Sequence, residues 1–171
     1  GKWEQSEKKE TYDVINPATE EVIGSASKAS SIEVQKALKS AEKGLKVWSN
    51  TTPWQRSYVL RKIADLMREK KDVLAKWLTL EVGKPLTEGV GEVGGAADIF
   101  EWNAEETKRI YGQTVQSRFP DTRVHVYYQP VGVVAALIPW NFPIVLAARK
   151  ISTALAAGCS VICKPDVITP G

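Results

Sequence analysis

The alternation of segment types over residues 131–164 constrains the fold of this chain most strongly. Residues 131–138 form a continuous apolar run, which is typical of a strand covered on both faces. The pattern then predicts a helix over 143–157, closed by Gly158, and a second short apolar strand over 160–164. This spacing predicts a βαβ unit with a right-handed crossover between parallel strands. Such a unit buries little surface alone, so it requires further strands beside it.

The preceding residues predict a β-hairpin, four helices and one more strand. Short strands over 11–15 and 21–24 flank a turn at 16–19. Apolar periodicity and capping residues predict the helices at 31–46 with Ser31 as N-cap, from Pro53 onward with Thr52 and Gln55 as a capping box, at 71–82 with Gly83 as the stop, and at 87–110. A period-two pattern over 123–128 predicts a half-buried strand.

These elements predict an α/β protein with an incomplete cofactor-binding domain. The predicted parts are a β-hairpin region at 1–28, a helical block at 30–111, a strand at 122–130 and the first βαβ unit of a Rossmann-like cofactor-binding domain at 131–171.

Charge and composition argue against several classes of partner. The net charge is only +3, and acidic and basic residues are mixed without a basic stripe, so we expect no nucleic-acid partner. The longest apolar run is too short to span a bilayer, so we expect no membrane association. Cys159 and Cys163 would lie roughly 13 Å apart in a strand, beyond the limit of about 7 Å for a disulfide. Free thiols favour a cytoplasmic location, and we expect no metal site.

Residues 89–94 match the dinucleotide-binding pattern GxGxxG letter for letter. The functional motif follows an apolar strand and opens a helix at its last glycine. Here a helix end and a helix restart precede the glycines, so we interpret them as part of a helix. Because each helical glycine costs about 0.5–1 kcal/mol relative to alanine, we expect another element to pack closely against this helix.

Two polar residues are predicted at the carboxyl edge of the parallel sheet, where open α/β proteins bind ligands. Asn141 lies in the loop 139–143, beside the amino end of a helix, which favours negative charge. Its amide is suited either to stabilising an oxyanion or to capping the helix. Lys164 ends the second strand, where it can either contact ribose hydroxyls or phosphate or simply face solvent.

The segment PWNFP at 139–143 resembles the signature of the aldehyde dehydrogenase superfamily in every letter. The likeness extends over nearly the whole chain, through NPAT at 16–19, EVGKP at 81–85, EWNAEE at 101–106, QPVGVV at 129–134, RKISTALAAGC at 149–159 and KP at 164–165. The sequence at 101–112 and 149–159 is most similar to that of the succinate-semialdehyde dehydrogenase group.

The resemblance implies oxidation of an aldehyde to a carboxylic acid with NAD or NADP as cofactor. A semialdehyde is one candidate substrate. In the family reaction a cysteine attacks the aldehyde, hydride passes to NAD(P)+, and the thioester is hydrolysed. Asn141 would donate to the oxyanion of the thiohemiacetal, and Lys164 would hydrogen-bond the adenosine ribose. The backbone of Ile138, Pro139 and Trp140 would line the cofactor. The full-length protein is expected to be a homo-oligomer.

The chain departs from the family pattern in two ways. Val167 stands where the family often has a glutamate that accepts the ribose hydroxyls, so we expect NADP+ to be tolerated. The nucleophilic cysteine and the catalytic domain would lie beyond Gly171, and neither Cys159 nor Cys163 stands at the nucleophile position. The 171-residue chain alone is therefore expected to be inactive. A non-catalytic nucleotide-binding or oligomerisation module is the alternative.

Overall fold

The computed structural model describes residues 4–171, so residues 1–3 of the predicted hairpin region lie outside the described part. The elements, in chain order, are β1 (Thr11–Ile15), β2 (Val22–Ser27), α1 (Ser31–Trp48), α2 (Pro53–Glu69), α3 (Lys71–Val82), α4 (Leu86–Glu106), a 3₁₀ turn (Thr107–Arg109), β3 (Gln113–Gln116), β4 (Arg123–Val126), β5 (Val133–Leu137), α5 (Pro143–Ala156) and β6 (Ser160–Lys164). Within residues 4–171, none of the helices combines the length and the apolarity needed to cross a membrane.

Helix starts and stops follow local side-chain chemistry. Thr52 and Gln55 form the predicted capping box of α2, and Gly83 ends α3 in a left-handed conformation with φ 79°. The predicted cap of α1 is wrong by one residue. Ser30 is the N-cap because its backbone is extended, whereas Ser31 is already helical, and Glu33 completes its capping box.

Two boundaries in the middle of the chain differ from the predictions. The fourth helix ends at Glu106, not near residue 110, because the backbone tightens into the 3₁₀ turn. The strand predicted over 122–130 covers only Arg123–Val126, and it pairs antiparallel with β3, which the sequence analysis missed. All residues of β3 are exposed, as are three of the four in β4. Without a buried face, the strand is not half-buried, and β3 carries no apolar alternation that would reveal it.

The predicted βαβ unit is confirmed. β5 and β6 pair in parallel, with Val133 opposite Ser160 and Leu137 opposite Lys164, and α5 connects them. The prediction that the first strand is covered on both faces is wrong, because Leu137 is 63% exposed. The strands end at Leu137 and Lys164, which are both exposed, and the loop leading to α5 begins at this edge.

The hydrophobic core lies between α2, α4 and α5 and consists mainly of small side chains. Its buried members are Leu60, Ala64, Ala96, Ala97, Phe100, Ala104, Ala148 and Ala156. Alanine at facing positions brings the helix backbones close together. The closing carbonyls of α5, which have no partner within the helix, receive hydrogen bonds from outside it. Trp48 Nε1 donates to Leu155 O at 2.9 Å, and Thr107 Oγ1 donates to Ala156 O at 2.6 Å.

The glycine run at 89–94 lies inside α4, as predicted. A Cβ on Gly89 would lie 3.0 Å from the carbonyl oxygen of Ala75 in α3, whereas Gly91 and Gly94 have open space. The close packing that we expected therefore exists at Gly89. The run does not form a dinucleotide-binding loop, because no strand precedes it.

Candidate functional site

The loop between β5 and α5 emerges at the carboxyl edge of the parallel pair. Ile138 N donates to Lys164 O at 3.0 Å, which extends the pairing by one residue beyond β5. The loop residues 139–142 and the side chain of Lys164 therefore leave neighbouring strands at the same edge. Ligands of open α/β folds bind at this kind of edge.

Asn141 lies at a cavity of about 540 Å³ between α4 and the beginning of α5. The other lining residues are Glu88, Gly91, Glu92, Phe142, Val145, Leu146 and Arg149. Asn141 itself is exposed, and its side-chain amide has no hydrogen bond within residues 4–171. The N-cap of α5 is Phe142, and α5 has no side-chain cap from its own N-cap residue. The helix-capping interpretation of Asn141 is therefore wrong, and its amide is available to a ligand.

A carboxylate from another helix satisfies the amino end of α5. Glu92 Oε1 accepts hydrogen bonds from Ile144 N at 3.1 Å and Val145 N at 3.2 Å. Glu92 Oε2 pairs with the ammonium of Lys84, and the two side chains are only 2% and 8% exposed. A carboxylate at a helix amino end also interacts favourably with the helix dipole.

Lys84 connects the same ion pair to the loop. Its Nζ donates to Asn141 O at 3.2 Å and lies 4.2 Å from the centre of the Phe142 ring. The sequence analysis missed both Lys84 and Glu92 as site residues. Lys84 lies within the EVGKP segment of the resemblance, but nothing in the local pattern connects it to residue 141.

Arg149 is a third residue that sequence analysis did not single out as part of the site. It lines the cavity of Asn141, is exposed and forms no ion pair within residues 4–171. It follows Asn141 by eight residues, which corresponds to roughly 12 Å along a helix. Because helical side chains lean toward the amino end of their helix, we expect its guanidinium to lean toward Asn141. The cavity thus has an amide donor at one end and a cation further along.

The residues predicted to contact a cofactor fall into two groups. Trp140 and Val167 are 50% and 55% exposed, and Pro139 and Lys164 are also exposed. Ile138 is 5% exposed, and its side chain lines a different, apolar cavity behind the sheet edge. None of these five residues lines the cavity of Asn141. Their contact with a cofactor remains a prediction, in which Ile138 would contribute only backbone groups.

The ammonium of Lys164 contacts the carbonyl oxygen of Pro165 at 2.5 Å and has no carboxylate partner within residues 4–171. The nearby carboxylate of Asp166 is occupied, because its Oδ1 accepts a hydrogen bond from Ile168 N at 3.1 Å. This segment therefore presents a free cation and an apolar Val167, with its one carboxylate engaged in a turn.

The two cysteines are free but have little nucleophilic character. Cys159 is 3% exposed. Cys163 reaches the surface, yet enough protein surrounds its sulfur that desolvation raises the pKa of the thiol, against an opposing effect of Lys150. The attacking species in thiol chemistry is the thiolate, so a raised pKa disfavours Cys163 as a nucleophile.

Comparison with known proteins assigns the chain to a family. Residues 3–171 match the model of the aldehyde dehydrogenase family. The chain is 46% identical over 170 residues to a glutarate-semialdehyde dehydrogenase of Pseudomonas putida and 44% identical to an NADP(+) succinate-semialdehyde dehydrogenase of Escherichia coli. Each alignment covers 99% of this chain but 35% of the relative, so the chain spans about a third of their length.

A solved structure agrees with the sequence relatives. The chain superimposes with a TM-score of 0.96 on a betaine aldehyde dehydrogenase of Staphylococcus aureus in complex with NAD+. The two are 36% identical, and the superposition covers 99% of this chain and 34% of that one.

Proposed function

Because the chain belongs to the aldehyde dehydrogenase family, we propose that the protein carrying it oxidises an aldehyde to a carboxylic acid with NAD or NADP. In this proposal, residues 133–164 supply an oxyanion donor and part of the cofactor site. The observation that supports it most directly is the free amide of Asn141, which borders a cavity at the anchored amino end of α5.

Asn141 has the chemistry that the first step of aldehyde oxidation requires. When a thiolate adds to the aldehyde carbon, negative charge develops on the carbonyl oxygen. An uncharged amide N–H can donate a hydrogen bond to that oxygen without losing its proton. One such donor typically stabilises the transition state by about 2.7–4 kcal/mol. Glu92 already binds two opening N–H groups of α5, so the side-chain amide of Asn141 is the free donor at this end of the cavity.

The exposed residues at the strand edge fit a dinucleotide. Lys164 offers an ammonium without a carboxylate partner within residues 4–171, and Trp140 and Val167 offer apolar surface beside it. Lys164 would bind ribose hydroxyls, while the backbone of Ile138, Pro139 and Trp140 would line the cofactor. The cofactor, when bound, supplies the oxidising power by accepting hydride.

Val167 supports binding of NADP. Valine neither accepts hydrogen bonds from ribose hydroxyls nor repels a 2′-phosphate, and Asp166 beside it is engaged with Ile168 N. Lys164 adds a nearby positive charge. The E. coli relative is named for NADP(+), whereas the S. aureus structure contains NAD+. A higher affinity for NAD+ than for NADP+ would contradict this part of the proposal.

Arg149 supports a semialdehyde as the substrate. A semialdehyde carries a carboxylate at the end opposite its aldehyde, and arginine binds carboxylates through a planar pair of donors. With Asn141 at the aldehyde, the carboxylate would extend along α5 toward Arg149, which lines the same cavity. The Pseudomonas and Escherichia relatives are named for glutarate and succinate semialdehyde.

We also propose that the complete protein is a cytoplasmic homo-oligomer. The hairpin of β3 and β4 exposes Val115 and Val124, each 44% exposed, and Tyr127 directly after β4 is 77% exposed. Such apolar side chains suit contact with a second copy. Light scattering on the complete protein would measure its oligomeric state, and a monomer would contradict this part of the proposal.

The central experiment compares Asn141→Ala with wild type in the complete protein, using aldehyde-dependent formation of NAD(P)H. We expect kcat to fall by about 10²–10³-fold, the usual loss for one oxyanion donor. Asn50→Ala is the matched control, because it removes an exposed amide at the end of α1, away from the cavity. Unchanged kcat in Asn141→Ala, or a wild type without activity, would contradict the proposed function.

A further inference from the structure

The first turn of α5 depends on a side chain from outside the helix. The opening N–H groups of a helix have no partner within it, and the N-cap residue Phe142 provides none through its side chain. Glu92 of α4 binds two of these groups, Ile144 N at 3.1 Å and Val145 N at 3.2 Å. The position of this turn is therefore set by α4.

Lys84 contacts the loop before α5 at Asn141 and Phe142. Its Nζ binds the carbonyl oxygen of Asn141 at 3.2 Å and stacks over the ring of Phe142 at 4.2 Å. It also pairs with Glu92, so the two charges are neutralised within one buried group. The carbonyl of Asn141 and the amides three and four residues after it are thus bound by two residues more than 50 positions away in sequence.

A buried ion pair is a costly way to hold the connection between α3 and α4 against α4. Well-packed apolar side chains of similar size often stabilise a protein as much or more, because burying charges carries a desolvation cost. Apolar side chains, however, cannot bind the carbonyl oxygen of Asn141 or the N–H groups of α5. The ion pair therefore does what apolar side chains cannot do, which is to fix the position of the loop backbone.

We infer that Lys84 and Glu92 are positioning residues that together fix the direction of the Asn141 amide for catalysis. The inference rests on the proposed function. It assigns the two residues a role through Asn141, without contact with the substrate. An oxyanion donor must lie at hydrogen-bond distance from the developing charge, so a loop free to move would lose most of its effect.

Two substitutions in the complete protein test the inference. Lys84→Met keeps the length of the side chain but removes the ammonium, and we expect kcat to fall by about 100-fold, as for a misplacement of about 1 Å. The KM for the cofactor should change little, because the ammonium of Lys84 contacts Glu92, Asn141 and Phe142 and none of the residues proposed to bind the cofactor. Glu92→Gln keeps an acceptor for the α5 amides, so its loss should be smaller than that of Glu92→Ala.

The decisive comparison repeats the Lys84 substitution in the Asn141→Ala background. If Lys84 acts by positioning Asn141, the second substitution should cost almost nothing there, because residues that act as a unit are not additive. Lys36→Met is the matched control, since it breaks an exposed ion pair with Glu7 remote from the loop, and it should leave kcat unchanged.

Several outcomes would overturn the inference. These are an unchanged kcat in Lys84→Met, or the same fold-loss in both backgrounds, which would indicate a general structural role. If Lys84→Met does not fold, Glu92→Gln carries the same comparison between backgrounds.

Failure of the proposed function would be recognised separately, as a wild type without aldehyde-dependent activity. Amide exchange at Ile144 and Val145 would then test the structural part of the inference, the anchoring of α5 by Glu92. Faster exchange in Glu92→Ala than in wild type would support the anchoring, and equal exchange would overturn it.

Discussion

Replacing Gly89 with alanine tests the close packing of α3 against α4. The new Cβ would lie 3.0 Å from the carbonyl oxygen of Ala75 and 3.4 Å from Thr79 Oγ1, whereas a Cβ on Gly91 would meet nothing within 4 Å. Both substitutions gain the helix propensity of alanine, about 1 kcal/mol. That gain cancels when the two variants are compared, which leaves the cost of overpacking, about 1–3 kcal/mol.

The assay is urea unfolding of wild type and both variants, followed by circular dichroism. We expect Gly91→Ala to exceed the stability of wild type by about 0.5–1 kcal/mol. Gly89→Ala should be less stable than Gly91→Ala by about 1–3 kcal/mol, with equal m values in all three proteins. A Gly89→Ala variant as stable as Gly91→Ala would refute close packing as the reason for this glycine.

Three further predictions concern the substrate, the cofactor and pH. Arg149→Met should raise the KM for succinate semialdehyde by about 10–100-fold, because a charge-assisted hydrogen bond is lost, and should leave the KM for propanal unchanged. Arg118 is an exposed arginine outside the cavity, so Arg118→Met should change neither KM. Val167→Glu should raise the Kd for NADP+ and lower that for NAD+, as measured by titration, and unchanged values would contradict the assigned role. Burial raises the pKa of Glu81 above 4.5, against an opposing hydrogen bond from Gly171 N. The stabilisation that comes from protonated Glu81 is therefore complete below pH 4.5, and it is lost as the pH rises through the raised pKa of Glu81. Glu81→Gln should flatten this part of the pH dependence of the urea midpoint, and an unchanged slope would contradict the assignment.

Elements with a buried face or a side-chain cap could be predicted from the sequence. The start of α2 followed from Thr52, Pro53 and Gln55, because capping chemistry is local and acts within four residues. The strand β3 could not be found in this way. Its four residues are all exposed, so its pairing with β4 leaves no apolar alternation in the sequence.

The site shows the same division between local and distant information. Asn141 could be identified because its neighbours in sequence, two prolines and a following helix, define its surroundings. Lys84 and Glu92 reach this loop from 57 and 52 residues away. Their contribution depends on how α4 crosses α5, which no local pattern encodes. Arg149 resembles any polar residue on an exposed helix face until the cavity that it lines is seen.

The small residues of α4 connect the packing of the fold to the geometry of the site. Gly89 allows the backbone of α3 to approach, while Ala96 and Ala97 lie fully buried in the core shared with α5. Only at such short separations can the carboxylate of Glu92 reach the opening amides of α5. Side chains larger than Ala96 and Ala97 would separate α4 from α5 and withdraw Glu92 from the loop. The packing of α4 against α5 is therefore linked to the position of Asn141, whereas Gly89 governs the contact of α4 with α3.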